Sequence, residues 1–478
     1  MLRLVSSTPR KWLRTRRRCA GTEENIVKKG SIGLLVRWLM SAAALVAMQP
    51  AHAQLGLPTQ NLQVGCGWML AFDPTRTGLG NTAFPEINAR YWIAVVSDTA
   101  PAGSRLRIQG QYPDARYSAF HVHDGNLFVF EAISDNELVP DPGSANRNLD
   151  RTRRDDQVPV GGSYTAYVRI NAAVPAVRET NTLYRPKPGA LDAKVKKRTA
   201  LAYRTYLPVG GNEGGAPLPT LTLETPSGPK SLPNAADAAV CASIQKQFHT
   251  DGSALPVSLT PPVIPPAMPV FVKFDDTVLA AAGLGVGYNP HNGFLALKSD
   301  RDYADFLLVR GKLPSYTTQD QPQPTPLVRY WSLCQYGAAS TRVYACIADQ
   351  QLKLDAEGYY NIVISRDWMR PVLLPAQYDW LPWGTEKQGA VTIRELLAHP
   401  SFAKSIEKSS ASQTAADRGE YMPLATYCSQ AVLAAAAGTP GAGTGDAFAA
   451  CRASRQGLLS SLLPLPVLGT LPPIPPLL

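Results

Sequence analysis

The chain contains no Cys-x-x-Cys pair, no Gly-x-Ser-x-Gly elbow and no glycine loop followed by Lys-Ser or Lys-Thr. The first absence argues against a thiolate metal cluster or dithiol redox centre. The second argues against a nucleophile-elbow hydrolase, and the third against a P-loop nucleotide site. Gly283-Leu284-Gly285-Val286-Gly287 imitates a phosphate loop only superficially. Histidine is scarce, six in 478 residues, so few positions can serve as general base. Apolar runs are also short: residues 38–48 fall well below the about 20 residues of a spanning helix, and the Leu/Pro-rich stretch 458–478 is broken by proline.

The formal charge of +10 suggests an anionic partner until it is located. Residues 1–53 hold ten of the 47 basic residues and two of the 37 acidic ones, leaving 37 against 35 and a net of about +2. The basic start, the apolar run 38–48 and Ala51-His52-Ala53 before Gln54 have the form of a cleaved export signal. Residues 1–53 are therefore expected to be a leader, the protein periplasmic or secreted, and no transmembrane helix to remain after cleavage. With the excess charge in the leader, no nucleic-acid partner is expected.

Of seven cysteines, Cys19 lies in that leader. The even remainder, in an exported chain, favours disulfides. Fifteen pairings of six cysteines are possible, and the layout favours one. Cys334 and Cys346 flank a hairpin with its turn near Ser340, which sets the sulfurs opposite each other. Cys428 and Cys451 sit on two stretches read as helical, divided by the Gly-rich 438–445. Cys66 and Cys241 then close the first half near its ends, a loop that contributes roughly 4–5 kcal/mol in the chain-entropy model.

What the chain does contain is a repeat. Residues 88–114 and 289–315 align without gaps at an offset of 201, with Asn88 on Asn289, Leu106 on Leu307, Gly110 on Gly311 and Pro113 on Pro314. Beyond it, Ala115-Arg116-Tyr117 matches Val328-Arg329-Tyr330, Gly162-x-Tyr164 matches Gly358-x-Tyr360, and Tyr203-Arg204 matches Ile393-Arg394. A duplicated module is read as a pair. Short β-prone runs at 91–96, 106–110 and 164–170, and at 306–310, 328–336 and 359–365, are bounded by turn residues, as in a sandwich or barrel. Asp124-Gly125 predicts a two-residue hairpin between 120–123 and 127–131. The expected organisation is a first β-sandwich over 54–255, ending in a helix at 235–248. A stiff Pro-rich linker over 256–270 follows, then a second sandwich over 271–420, a helical hairpin closure over 421–457 and an apolar tail over 458–478.

In the second copy, Tyr330-Trp331-Ser332-Leu333 precedes Asp355-x-x-Gly358-Tyr359-Tyr360-Asn361-Ile362-Val363-Ile364, then Trp380-Leu381-Pro382, then Ile393-Arg394. This order resembles the C-terminal module of the bacterial family catalogued as domain of unknown function 1214. It consists of a Trp-Ser strand, a Gly-led strand, a Trp-Leu-Pro loop and an Arg-bearing strand. The first copy resembles it in diverged form, and the likeness covers about 250 residues. It implies a jelly-roll type of sandwich and no particular activity. The fold expected is thus all-β, two tandem jelly-roll-like sandwiches with short helical closures.

Three sets of residues carry possible chemistry. His121 and His123 alternate on one strand and face the same way, and with Asp124 or Glu131 could begin a metal site. A cupin, however, needs an acid where Asn126 and Leu127 stand, and the repeat puts Cys334 and Tyr336 opposite the two histidines. Arg116, Arg204, Arg329 and Arg394 are retained by the duplication. Each either pairs with a carboxylate inside its sandwich or hydrogen-bonds loop carbonyls, or else presents its planar fork to an anion or sugar. Trp380 and Trp383, with Tyr359 and Tyr360, are the stacking platform a sugar would need or simply core. No catalytic residue and no cofactor is assigned. The favoured expectation is a non-catalytic exported protein binding a small anionic or carbohydrate ligand, or an envelope protein, across the cleft between modules. The alternatives are a secreted metal-dependent or hydrolytic enzyme acting on a glycan or ester, and a structural envelope protein docked through its tail.

Overall fold

Strands of Val, Ile, Tyr and Leu alternate inward and outward along both halves of the chain, and this period of two assembles two pairs of sheets. The computed structural model describes residues 65–462 except 76–80, 82, 98–99, 126, 149, 187–197, 234–238, 244–268, 275–286, 318–324, 370–377 and 438–442. All of them belong to one compact unit, Leu45–Leu478. The leader, the Pro-rich linker up to residue 268 and the tail from residue 463 lie outside the described residues.

The first sandwich comprises β1 (Gly65–Phe72), β2 (Ala89–Ser97), β3 (Arg105–Gln111), β4 (Tyr117–Asp124), β5 (Val129–Ser134), β6 (Ser163–Ile170), β7 (Thr182–Arg185), β8 (Arg198–Tyr206), β9 (Thr220–Thr225) and β10 (Gly228–Ser231). One sheet runs β1-β2-β8-β4-β5 and its partner β10-β9-β3-β6-β7. The chain passes back and forth between the sheets at β2, β3, β4, β6, β8 and β9, a jelly-roll-like path.

The second sandwich comprises β11 (Val272–Phe274), β12 (Asn292–Asp300), β13 (Phe306–Lys312), β14 (Tyr330–Gly337), β15 (Val343–Ala348), β16 (Tyr359–Ser365), β17 (Asp379–Pro382), β18 (Gln388–Leu396) and β19 (Leu424–Cys428). Its sheets run β11-β12-β18-β14-β15 and β17-β16-β13-β19. The two orders correspond strand for strand, including the parallel pairs β6–β7 and β16–β17, except that β10 has no counterpart among the described residues.

Pairing register makes the correspondence residue by residue. Gly110 faces Tyr164 as Gly311 faces Tyr360, so β3 and β13 keep the offset of 201. Arg204 pairs with Tyr91 as Arg394 pairs with Phe294, so the offset at β2 and β12 is 203. The ungapped alignment is therefore two residues out at its start: Asn88 corresponds to His291, not to Asn289. Short connections absorb such differences because backbone there need not keep a ladder.

Within each sandwich, one face of most strands builds the core. Trp92, Leu106, Ile108, Phe120, Tyr164 and Tyr203 are buried together in the first, and Leu307, Trp331, Ile362, Trp383 and Ile393 in the second. The three disulfides are Cys66–Cys241, Cys334–Cys346 and Cys428–Cys451, and such bonds fit an oxidising compartment. Cys334 and Cys346 are direct ladder partners, as a hairpin requires.

Other details differ from expectation. Cys428 ends a strand, not a helix: β19 pairs along β13 as a sheet edge, so the stretch 421–457 is part sandwich. Helices α1 (Thr414–Arg418), α2 (Gln430–Ala437) and α3 (Thr444–Leu462) surround it, and Cys451 on α3 staples helix to strand. Trp380-Leu381-Pro382 forms β17 beside β16, not a loop. The β4–β5 turn spans 125–128, because the Asp124 side chain accepts the Phe128 N–H at 2.9 Å and Leu127 takes φ 66°. Among the described residues, no helix is long and apolar enough to cross a membrane.

Candidate functional site

Outward-facing side chains of β4, β8 and β2 meet those of β14, β18 and β12, so these two sheets form the seam between the sandwiches. Tyr117, Ala119, Tyr206 and Ala89 pack there against Tyr330, Ala348, Leu396 and Leu397. The contacts are reciprocal, as in an isologous interface made within one chain. Arg116 reaches Asp349 across the seam at 3.3 Å, and Arg329 reaches Asp135 at 2.5 Å. Asp135 and Asp349 are themselves counterparts, each accepting a backbone N–H of β4 or β14, from Ser118 or Trp331. Arg204 donates to the Gly287 carbonyl, and Arg394 to the Phe84 carbonyl at 2.6 Å. Gly287 is Phe84 displaced by 203.

The four arginines therefore form no open anion- or sugar-binding face, correcting that expectation. Three of them, Arg204, Arg329 and Arg394, are at most 6% exposed. Nor do they pair with a carboxylate of their own sandwich; the carboxylates and loop carbonyls they hold come from the opposite one, because the seam is where their strands face, and Arg394 also reaches Cys334 Sγ and Thr392 Oγ1 of its own. The aromatic platform does not exist either. Trp383 and Tyr360 lie in the core, while the half-buried Trp380 donates its indole N–H to Ser365 Oγ at 2.8 Å. Tyr359 lies under the Arg310 guanidinium.

The duplication matters most where it fails. Glu86, preceding β2, inserts its carboxylate into the second sandwich's half of the seam. There its Oε2 lies 2.5 Å from Ser332 Oγ, 3.2 Å from Cys334 Sγ and 3.3 Å from the Arg394 guanidinium. The counterpart of Glu86 is Asn289, that of Ser332 is Ala119, and that of Cys334 is His121. Arg204, the counterpart of Arg394, has no carboxylate within ion-pair distance among the described residues. A charged guanidinium is thus buried with a carbonyl and the Tyr91 ring as its partners.

Around Arg204 the polar groups converge on Tyr117. Its hydroxyl lies 3.3 Å from His121 Nε2, 2.8 Å from His291 Nδ1 and 3.4 Å from Asn289 Oδ1. His121 and His123 stack with rings 6.0 Å apart, and His291 meets His121 edge-on at 5.6 Å. Several buried atoms have no hydrogen-bond partner: His121 Nδ1, both ring nitrogens of His123, Arg204 Nε and Asn289 Nδ2. Native proteins rarely leave such groups unmet. Burial, assisted by the Arg204 charge, lowers the His121 pKa far below the usual imidazole value and brings that of His123 to about 3. Burial lowers His291 to about 4, with Glu137, 3.6 Å away, opposing the shift. All three imidazoles are neutral at physiological pH.

The acids expected to complete a metal site are otherwise engaged. Glu131 holds Arg178 and the Tyr184 N–H, and Asp124 holds the Phe128 N–H. Among the described residues, the cluster with metal-ligand spacing is Glu86, Cys334 and Cys346, whose two sulfurs are bonded to each other. Sequence reasoning assigned no site role to Glu86, Asn289 or His291. The signal was present in the repeat, but only at the offset of 203 that the strand register reveals.

No family profile matches the chain, and no curated protein matches it. Among solved structures, an uncharacterised protein from Burkholderia cenocepacia is similar at 13% identity and TM-score 0.45, covering 83% of this chain and 88% of its own. A Vibrio parahaemolyticus protein is similar at 15% identity and TM-score 0.35, covering 72% and 89%. At these values neither likeness bears on activity.

Proposed function

We propose that the protein is an exported, non-catalytic binding protein, periplasmic or released, whose small-molecule site is the polar cluster at the seam. One observation carries this reading: unpartnered nitrogens of His121, His123, Arg204 and Asn289 are gathered in one buried place. A ligand that satisfies them gains the full difference between an unmet and a met buried polar group, about 1–3 kcal/mol each. The three disulfides support the export half of the reading.

The enzyme reading finds less support. Tyr117 holds two imidazoles, yet no nucleophile with a base and an orienting carboxylate stands among the described cluster residues. A divalent cation at His121 and His123 would be repelled by Arg204. The test is thermal-shift screening of the oxidised mature chain with divalent metals, oligosaccharides, small anions and neutral metabolites. A small-molecule hit that disappears in His123→Leu supports the site. A response to divalent metal alone, with activity lost in the same variant, overturns the non-catalytic reading.

A further inference from the structure

The two halves of the seam are the same site built twice, once with its own anion and once, among the described residues, without. In the second sandwich's half, the Glu86 carboxylate sits against Arg394 and Ser332. In the first sandwich's half, the equivalent arginine is present and the equivalent carboxylate is absent, replaced by the shorter, neutral Asn289. Most other substitutions around the position also remove bulk. Thr392 becomes Ala202, Ser332 becomes Ala119, Tyr336 becomes His123 and Cys346 becomes Ala132. The change from Cys334 to His121 adds bulk, and that from Phe294 to Tyr91 adds a hydroxyl, which accepts the Glu86 N–H at 3.0 Å.

We propose that this site takes a small carboxylate anion, seated against Arg204 where the Glu86 carboxylate is seated against Arg394. The inference rests on the binding reading above and names its ligand class. Arg204 Nε and Asn289 Nδ2 are donors without partners. A neutral imidazole at His121 or His123 supplies one further N–H. A planar carboxylate accepts from several donors at once and matches the guanidinium fork. Charge decides between ligand classes here. A buried cation lacking its counterion gains more from an anion than from a neutral hydroxyl compound, and the same cation rejects metals. The groups facing the ligand are Arg204, His121, His123, Asn289 and Tyr117, with His291 behind Tyr117 and Glu137 beyond it.

The test uses the oxidised mature chain, titrated with acetate and propionate and, at equal ionic strength, with chloride and with acetamide. Acetate or propionate should raise Tm by about 2 °C or more, whereas chloride and acetamide should not. Arg204→Met should weaken carboxylate binding at least tenfold. Asn289→Glu supplies the missing carboxylate from within, so it should raise Tm in carboxylate-free buffer and abolish the response to acetate. Because Asn289→Glu risks misfolding, Glu86→Ala provides a second arm. It strips Arg394 of its anion and should be rescued by acetate. Equal binding of acetamide and acetate, lost in His123→Leu but kept in Arg204→Met, would overturn the anion while leaving the binding site standing. No response to any probe, with Glu86→Ala not rescued, would overturn the anion and leave the seam without ligand evidence. Equal shifts with chloride would reduce the effect to screening and overturn the proposal.

Discussion

Two arginines at equivalent places differ in what they neutralise, and their removal should differ accordingly. Arg394→Met leaves Glu86 buried without its cation, which typically costs about 3–5 kcal/mol. Arg204→Met removes a buried charge that no described carboxylate offsets, so without ligand the change should stay within about 1 kcal/mol. Urea denaturation of the two variants checks the contrast, and equal losses would show that Arg204 is compensated elsewhere. The histidines beside Arg204 set a pH dependence. His123 at about 3 and His291 at about 4, with His121 also lowered, take up protons in the unfolded chain before the folded one. Their contribution is fully present above the unfolded value near 6.5 and is lost as pH falls towards the folded values, by about 1.4 kcal/mol per pH unit for each histidine. Asp349 works in the opposite sense: burial raises its pKa to about 6, and Asp135 is raised too. Each raised carboxyl favours folding as it protonates, so below pH 6 Asp349 offsets part of the histidine loss and Asp135 acts in the same direction. Stability should therefore fall most steeply just below pH 6.5, and His121→Gln with His123→Gln should flatten that slope.

At the scale of strands, the retained glycines and cysteines have separate physical reasons. A methyl group on Gly110 would run into the buried Tyr164 ring, and one on Gly311 into the Tyr360 ring. The tyrosine opposite each glycine occupies the space where a side chain would stand. Gly311→Ala should cost about 1–3 kcal/mol by overpacking, read as a lower urea midpoint with unchanged m-value. The disulfides act at different ranges, closing separations of 175, 12 and 23 residues. In the chain-entropy model the first contributes roughly 5 kcal/mol and the second roughly 3 kcal/mol. Replacing Cys66 and Cys241 by alanine should therefore lower Tm more than replacing Cys334 and Cys346. The opposite ranking would show that the seam leans on the Cys334 side, where a sulfur touches both Glu86 and Arg394.

The whole molecule is held by exchange across the seam. The segment before β2 packs on the second sandwich, with the Phe84 N–H donating to the Thr341 carbonyl at 3.0 Å. The segment before β12 packs on the first, with the Gly287 N–H donating to the Leu127 carbonyl at 3.2 Å. Thr341 and Leu127 are counterparts, and both hold a left-handed backbone, at φ 56° and 66°. With buried ion pairs, hydroxyls and aromatic contacts spanning the seam, the sandwiches should unfold in one calorimetric transition. Arg329→Met alone should cost about 3–5 kcal/mol, and adding Asp135→Leu should restore most of it, because the second change removes the stranded charge. Two resolved transitions would mean that the seam contributes little to either fold.

The sequence by itself indicated most core strands, though not β17 or β19, together with the duplication and the favoured disulfide pairing. These depend on local alternation, turn residues and spacing, and a repeat of residue types announces itself without coordinates. The β16 run at 359–365 and the Cys334–Cys346 ladder pair were legible in this way. The seam was not. Which outward face of a sandwich meets water and which meets another sandwich is a property of the assembled sheets, and the four arginines look alike until their partners are placed. Nor did the linear alignment align Glu86 with Asn289, since a two-residue difference between the copies hid the pairing until backbone register corrected it. Tertiary structure alone decided that one buried arginine has a carboxylate and its twin has none among the described residues, because Glu86 reaches Arg394, 308 residues further along the chain, only through the assembled interface.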